Sequence, residues 1–114
     1  MIGIKPVDYA RDLTIEHVLP HAAGDPYWRE RFATEKEVRQ YANLLGNMAL
    51  VSIPVNTRLG TLAFPEKKVI AIEEGAHEAA LLASCFQTGT DWNKATIEAR
   101  TAALVKRLAE DMVI

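Results

Sequence analysis

Short apolar runs separate longer helical patterns along this chain of 114 residues. The first run, 13–19, is rich in β-branched residues and is broken by Pro20, which favours a brief strand. The second run, 48–53, is closed by Pro54 and predicts another strand. Between the two runs, Thr34 and Glu37 have the spacing of a capping box, so a helix is expected from there to a stop at Gly46.

The remaining segments are assigned from turn residues and from apolar positions at helical spacing. They are a loop at 21–28, a turn leading to a short helix at 55–62, a helix that starts near Pro65 and weakens at Gly75, its continuation over 76–86, and a last helix capped by Asp91 and ending near Met112. This order predicts one domain over 1–114 with an α+β, helix-dominant fold, in which a small core of two strands and a helix is wrapped by additional helices.

Composition narrows the class of protein. Apolar residues make up 49% of the chain and charged residues 25%, as in ordinary globular proteins. No apolar run approaches the roughly 20 residues of a membrane span, and the first residues lack the pattern of a signal peptide. A single cysteine, Cys85, excludes an internal disulfide framework and a zinc site built from several cysteines. We therefore expect a cytoplasmic protein without a membrane partner.

The charge balance argues against a free-standing nucleic-acid binder. Thirteen basic and fifteen acidic side chains give a net charge of −2, whereas such binders usually carry a basic face. DNA binding is compatible with this balance if the basic residues cluster, or if another domain supplies most of the affinity. The chain is therefore also compatible with being the C-terminal part of a larger protein.

Chemical information is concentrated in Glu16, His17, Asn47 and Asn56. Phosphodiester hydrolysis needs a base, which histidine supplies near neutral pH, and a hard cation, which prefers oxygen ligands. Adjacent strand residues point to opposite faces, so Glu16 and His17 can serve one site only in a twisted or terminal segment. The Asn47 amide could bond the backbone near His17, and the Asn56 oxygen could join Glu16 on a metal ion.

In this arrangement the chain resembles the HNH nucleases (the His-Me finger or ββα-metal class), and most closely the C-terminal HNH-like domain of GmrSD-type, modification-dependent restriction endonucleases. Four blocks in order carry the resemblance from 13 to 104: Ile15-Glu16-His17-Val18-Leu19-Pro20; Leu45-Gly46-Asn47-Met48-Ala49-Leu50; Asn56, Leu59, Phe64 and Lys67; and Trp92, Ile97 and Arg100. One departure is Gly60-Thr61, which stands where the family has Ser-Asn.

The resemblance implies a metal-dependent DNA endonuclease that acts in restriction of phage and other foreign DNA. It implies His17 as general base, Asn47 as the residue that orients it, and Glu16 and Asn56 as ligands of one Mg²⁺ or Mn²⁺ ion. Lys67 is a predicted phosphate contact by the same resemblance. The implied partners are DNA, modified or not, and a nucleotide-hydrolysing N-terminal domain or subunit, because this chain has no glycine-rich phosphate loop.

Two alternatives remain open: a catalytically degenerate version of the same fold that binds DNA or protein, and a helical interaction module. Arg58 and Lys68, near Lys67, are further predicted contacts with DNA phosphates, although a solvated cluster is an equal interpretation. The other conspicuous side chains have ordinary structural interpretations: His21 in a loop near the site, His77 solvated or capping, Cys85 in the core, Trp28 and Trp92 in packing, and Arg100 in an ion pair.

Overall fold

A computed structural model of the protein describes residues 13–74 and 91–112. Within these ranges the elements are two strands, five α-helices and one 3₁₀ turn. In chain order they are β1 (Leu13–His17), α1 (Pro26–Arg31), α2 (Glu35–Ala42), the 3₁₀ turn (Leu45–Asn47), β2 (Met48–Ser52), α3 (Ile53–Leu59), α4 (Phe64–Glu73) and α5 (Lys94–Asp111). The order confirms an α+β fold dominated by helices.

The two strands form an antiparallel sheet in which Leu13 lies opposite Ser52 and His17 lies opposite Met48. Both predicted strands are therefore confirmed, and β2 passes directly into α3. The Ser52 hydroxyl accepts a hydrogen bond from the Val55 backbone N–H and so caps that helix. A strand–strand–helix unit results, with about thirty residues of connection inserted between its strands.

Within the described residues, one face of this sheet is buried and the other is largely exposed. Ile15 and Leu50 lie opposite each other and remain 50% and 44% exposed, whereas their neighbours Glu16 and Ala49 are buried. This alternation is the expected result when helices cover one side of a two-stranded sheet. The protected face packs against a core formed by Val18, Leu19, Trp28, Phe32, Val38, Ala42, Ala49, Val51, Val55, Leu59, Phe64, Ala71, Trp92 and Ile97.

Two tryptophans hold the centre of this core, which confirms their predicted packing role. Trp28 and Trp92 are both fully buried. The Trp28 indole N–H donates to the Leu62 carbonyl at 3.0 Å, and the Trp92 ring stacks on Phe64 with centroids 5.1 Å apart. Each indole thus buries its apolar ring while its N–H is satisfied.

Two predicted boundaries in the loops are wrong. The loop assigned to 21–28 gives way to α1 at Pro26, because the Asp25 carboxylate accepts the Tyr27 N–H at 2.9 Å and proline suits the first helical position. Asn93, rather than Asp91, caps α5. The Asp91 carboxylate is instead bound by the Tyr27 hydroxyl and by Arg31 of α1.

Gly46 is not the C-terminal stop of α2, which ends earlier, at Ala42. Gly46 lies in the 3₁₀ turn, where an added Cβ would overlap backbone atoms of Ile97 and Thr101 in α5. Its N–H donates to the Thr101 hydroxyl at 2.8 Å, and Arg100 donates to the carbonyls of Gly46 and Met48. Glycine is therefore required here because α5 crosses the turn so closely.

The segment 55–62, predicted as a turn leading to a short helix, contains most of α3, which begins at Ile53 without a preceding turn. The helix ends at Gly60, whose φ of +46° is accessible to glycine at little cost. His77, Cys85 and the predicted helix at 76–86 lie outside the described residues. Within the described ranges, no helix is both long enough and apolar enough to span a membrane.

Candidate functional site

Asn47 is fully buried and uses its whole hydrogen-bonding capacity. Its Oδ1 accepts from the Leu19 backbone N–H at 2.7 Å and from the Trp92 indole N–H at 2.9 Å. Its Nδ2 donates to the carbonyls of Leu19 and Ala42, both at 3.0 Å. The side chain therefore ties the segment after β1 to the core and to the segment that leads into α5.

This bonding acts on His17 through the backbone. The Val18 N–H donates to the Asn47 carbonyl at 3.0 Å, and both polar groups of the Leu19 backbone bind the Asn47 side chain. The Asn47 side chain binds the backbone of Leu19, two residues beyond His17, and the sequence predicts such a bond near His17. Its four hydrogen bonds leave no donor or acceptor for the imidazole ring. Asn47 thus fixes the chain that carries the ring.

His17 is the last residue of β1 and is partly exposed. Its ring lies against that of His21, with centroids 4.7 Å apart and an angle of 59° between the planes. Burial lowers the pKa of His17 below its usual value, and the charges of His21 and Lys67 lower it further. At neutral pH the imidazole is accordingly uncharged, which is the form that accepts a proton. His21 lies in the exposed loop beside it, as the sequence predicts.

Glu16 points to the protected face of the sheet and is only 3% exposed. Its Oε1 lies 3.5 Å from the Lys67 ammonium, and its Oε2 is buried without a hydrogen-bond partner among the described residues. Burial raises the pKa of this carboxyl to about 7, although Lys67 and the His17 backbone act in the opposite direction. The carboxyl next to the candidate base in the sequence therefore has one oxygen without a partner in the part of the chain that the structure describes.

Lys67 is completely buried in α4. Its ammonium donates to the carbonyls of His17 and Val18 at 3.1 and 3.0 Å, in addition to its longer contact with Glu16. Burial lowers the pKa of Lys67, and Glu16 partly offsets this effect. The predicted phosphate contact would need this ammonium at the surface, so in this conformation no DNA phosphate can reach it.

Asn56 lies in α3, and its side chain contacts β1, the strand that contains Glu16. Its Nδ2 donates to the Ile15 carbonyl at 3.0 Å, which places the amide next to the residue that precedes Glu16. With the nitrogen engaged by the carbonyl, Oδ1 is the atom of the amide that can accept a cation. The fold therefore brings Asn56 to β1 from 41 positions further along the chain.

The other two predicted phosphate contacts lie on neighbouring helices. Arg58 is exposed on α3 and forms ion pairs with Glu73, at 3.7 Å, and with Glu74. Lys68 is half-buried on α4, beside Lys67. Arg58 and Lys68 thus remain closer to solvent than Lys67, although the charge of Arg58 is already countered by two carboxylates.

The oxygen atoms near β1 fit a hard divalent cation in their chemistry. Glu16 offers a buried carboxylate oxygen that has no hydrogen-bond partner among the described residues, and Asn56 offers an amide oxygen. In residues 13–74 and 91–112 no group of three or more His, Cys, Asp or Glu side chains is gathered as a metal site. One carboxylate and one amide nevertheless suit Mg²⁺, which usually keeps several waters and takes further ligands from substrate phosphates.

Sequence reasoning missed the internal role of Lys67. A lysine is normally a surface residue, and its place in the resemblance favoured a contact with DNA. One signal was present: Phe64, Lys67 and Ala71 recur at helical spacing, and all three are buried. A charged residue in the apolar stripe of a helix indicates an internal partner, which here is the end of β1.

Two antiparallel strands followed by a helix, with His17 ending the first strand and Asn56 on the helix, form the ββα arrangement of the His-Me finger class. The family model for the C-terminal domain of GmrSD restriction endonucleases matches residues 4–107 of this chain. The chain therefore belongs to that family. Neither the curated proteins nor the solved structures gave a match.

Proposed function

We propose that this domain is a metal-dependent DNA endonuclease in which His17 is the general base. The observation that carries the proposal is the 3.0 Å hydrogen bond from the Asn56 amide to the Ile15 carbonyl. This bond brings an amide from α3 to the stretch of β1 that also carries Glu16 and His17. Membership of a family of restriction endonuclease domains supports the same function.

His17 supplies the proton transfer in this proposal. A water molecule attacks the phosphorus atom, its proton passes to the neutral imidazole, and the bond from phosphorus to the 3′ oxygen breaks. The leaving 3′ oxygen takes a proton from solvent, so the products are a 5′-phosphate and a 3′-hydroxyl. The depressed pKa of His17 keeps the ring uncharged at neutral pH, and Asn47 holds the backbone that carries it.

Glu16 and Asn56 are the residues that would hold one Mg²⁺ or Mn²⁺ ion, through a carboxylate and an amide oxygen. When bound, such an ion supplies positive charge to the phosphorane and to the leaving oxygen. The buried Oε2 of Glu16 has no partner among the described residues, so this oxygen is available to bind a cation. Arg58 and Lys68 are the proposed contacts with flanking phosphates.

The biological setting follows from the family and is part of the proposal. The substrate would be foreign DNA, including phage DNA with modified bases, and the setting would be the cytoplasm. A nucleotide-hydrolysing domain or subunit would work beside this one, and it would supply the DNA affinity that a net charge of −2 does not provide.

The test is plasmid cleavage with Mg²⁺ or Mn²⁺, on modified and unmodified DNA, with EDTA as a control. We expect His17→Ala to slow cleavage by about 100- to 10,000-fold, the usual contribution of a general base. His21→Ala is the matched control, since it removes the neighbouring imidazole, and we expect its rate to stay within about tenfold of wild type. Equal rates for wild type and His17→Ala would contradict the proposal.

A degenerate domain that binds DNA or protein without cutting is the second candidate. Lys67 is engaged with the end of β1 in the interior, and Arg58 pairs with Glu73 and Glu74 at the surface, so both are already bound by groups of the protein itself. Calorimetry with Mn²⁺ separates the two functions. An active site should bind the ion, and Asn56→Ala should weaken that binding, whereas the degenerate domain should bind none.

A further inference from the structure

Two residues, Asn47 and Lys67, bind every backbone polar group from the His17 carbonyl to the Leu19 carbonyl. The carbonyls of His17 and Val18 accept from the Lys67 ammonium. The N–H groups of Val18 and Leu19 donate to Asn47, whose Nδ2 returns a hydrogen bond to the Leu19 carbonyl. Asn47 and Lys67 thus hold the chain just after the base.

We propose that Lys67 is a positioning residue of the nuclease site: it fixes the backbone of His17 through two carbonyls and leaves Glu16 Oε2 for a cation. The catalytic part of this inference rests on the proposed function. The positioning part concerns the conformation of the protein before any metal or DNA binds.

The distances support this division of roles. The two carbonyl contacts, at 3.1 and 3.0 Å, are ordinary hydrogen bonds, whereas the contact with Glu16 Oε1 is at the 3.5 Å limit. The ammonium is therefore anchored chiefly by the backbone. Glu16 can turn toward a cation while Lys67 stays on the two carbonyls.

Energetics give a second argument. A buried ammonium is costly to desolvate, and an apolar side chain of similar size would usually fill such a position at lower cost. The neighbours of Lys67 on the buried face of α4, Phe64 and Ala71, are indeed apolar. A lysine at this position is explained by what it binds, namely the buried carbonyls of His17 and Val18.

The experiment compares Lys67→Met with Ile70→Ala, a control on the same helix that removes packing against the core. Folding of each variant is measured by urea denaturation, and cleavage by single-turnover and steady-state kinetics. We expect Lys67→Met to lower kcat by about 10- to 100-fold, as loss of a supporting partner commonly does, with KM for DNA within about twofold. Ile70→Ala should keep kcat per folded molecule at the wild-type level.

The same variants are compared by NMR without metal or DNA. Lys67→Met should shift the amide signals of Val18 and Leu19 and the ring signals of His17, whereas Ile70→Ala should leave them in place. If Lys67→Met does not fold, Lys67→Gln takes its place, because its shorter amide can satisfy at most one of the two carbonyls.

The outcomes separate this inference from the proposed function. A wild-type protein that neither cuts DNA nor binds Mn²⁺ contradicts the nuclease function, and the NMR comparison then still decides the positioning role. Unchanged His17 ring and Val18 amide signals in the Lys67 variant overturn the inference. An unchanged kcat per folded molecule, or an equal loss in Ile70→Ala, overturns it as well.

Discussion

Asn47 and the Glu16–Lys67 pair are both buried beside the end of β1, yet they are bonded very differently. Asn47 makes four hydrogen bonds of 2.7 to 3.0 Å and has no polar atom left over. Glu16 has one contact at 3.5 Å and one buried oxygen without a partner among the described residues. The first cluster is complete within the protein, and the second lacks a ligand for one oxygen.

The difference indicates what each cluster does. A fully satisfied buried network makes one conformation rigid, and Asn47 applies that rigidity to the residues that follow His17. A buried carboxylate oxygen without a partner costs roughly 1–3 kcal/mol or more, so the absence of one among the described residues needs an explanation. The proposed divalent cation would supply that explanation, because the Asn56 amide is bonded to the Ile15 carbonyl, next to Glu16.

The largest effect is expected for Asn47→Leu, which removes all four hydrogen bonds at similar volume. The groups left without partners are the N–H and carbonyl of Leu19, the Ala42 carbonyl and the Trp92 indole N–H. We expect the free energy of unfolding, measured in urea, to fall by about 4 kcal/mol.

The matched control for this variant is Asn43→Leu, since Asn43 is exposed and makes one side-chain hydrogen bond, to the Arg39 carbonyl. We expect its cost to stay within about 1 kcal/mol. Equal losses in the two variants would mean that Asn47 is no more than an ordinary polar residue, and the comparison of the two buried clusters would fail.

Sequence reasoning succeeds where local pattern decides the structure. The two apolar runs end at Pro20 and Pro54, and both became strands, because short β-branched segments closed by proline have few other options. The capping box at Thr34 likewise starts α2, since the Thr34 hydroxyl accepts the Glu37 N–H at 3.1 Å. Such features depend on neighbours only three or four positions away.

Sequence reasoning fails where a distant element decides the structure. Gly46 has the signature of a helix stop, but the close approach of α5 requires it. Lys67 has the chemistry of a phosphate contact, but the carbonyls of His17 and Val18 bind it, 50 and 49 positions away. The resemblance predicts a site on β1 and α3, whereas packing decides which of the predicted side chains solvent can reach.

An intermediate effect is expected for Glu16→Gln, and it depends on pH. The folded-state pKa of about 7 lies above the ordinary value of 4.5, so the folded protein binds the proton more tightly than the unfolded chain. The contribution of Glu16 to stability is therefore fully present below about pH 4.5 and is lost as the pH rises through 7. From pH 4.5 to 8, wild type should lose on the order of 3 kcal/mol relative to Glu16→Gln.

The measurement is urea denaturation of both proteins across this pH range. Titrations that do not depend on Glu16, including that of His17, cancel in the difference between the curves, whereas that of Lys67 does not, because Glu16 raises the pKa of Lys67. Excess Mg²⁺ at pH 8 should raise the stability of wild type and leave Glu16→Gln unchanged, because only the carboxylate offers the ion a charged oxygen. Parallel pH curves would show that Glu16 is ionised at little cost, and its cluster would then resemble that of Asn47.

The smallest effect on stability is expected for Arg58→Ala, which lies outside both buried clusters. Its ion pairs with Glu73 and Glu74 are exposed, and solvent screens such pairs, so the free energy of unfolding should change by less than about 0.5 kcal/mol.

Because folding is preserved, the Arg58→Ala variant reports directly on DNA binding. If Arg58 contacts a phosphate, the slope of log affinity against log salt should become shallower by about 0.9. Lys68→Ala, on the next helix, provides the parallel measurement. An unchanged slope for Arg58→Ala would mean that its two carboxylate partners keep the guanidinium from DNA. The proposed cation at β1 would then be the main contact with the DNA backbone.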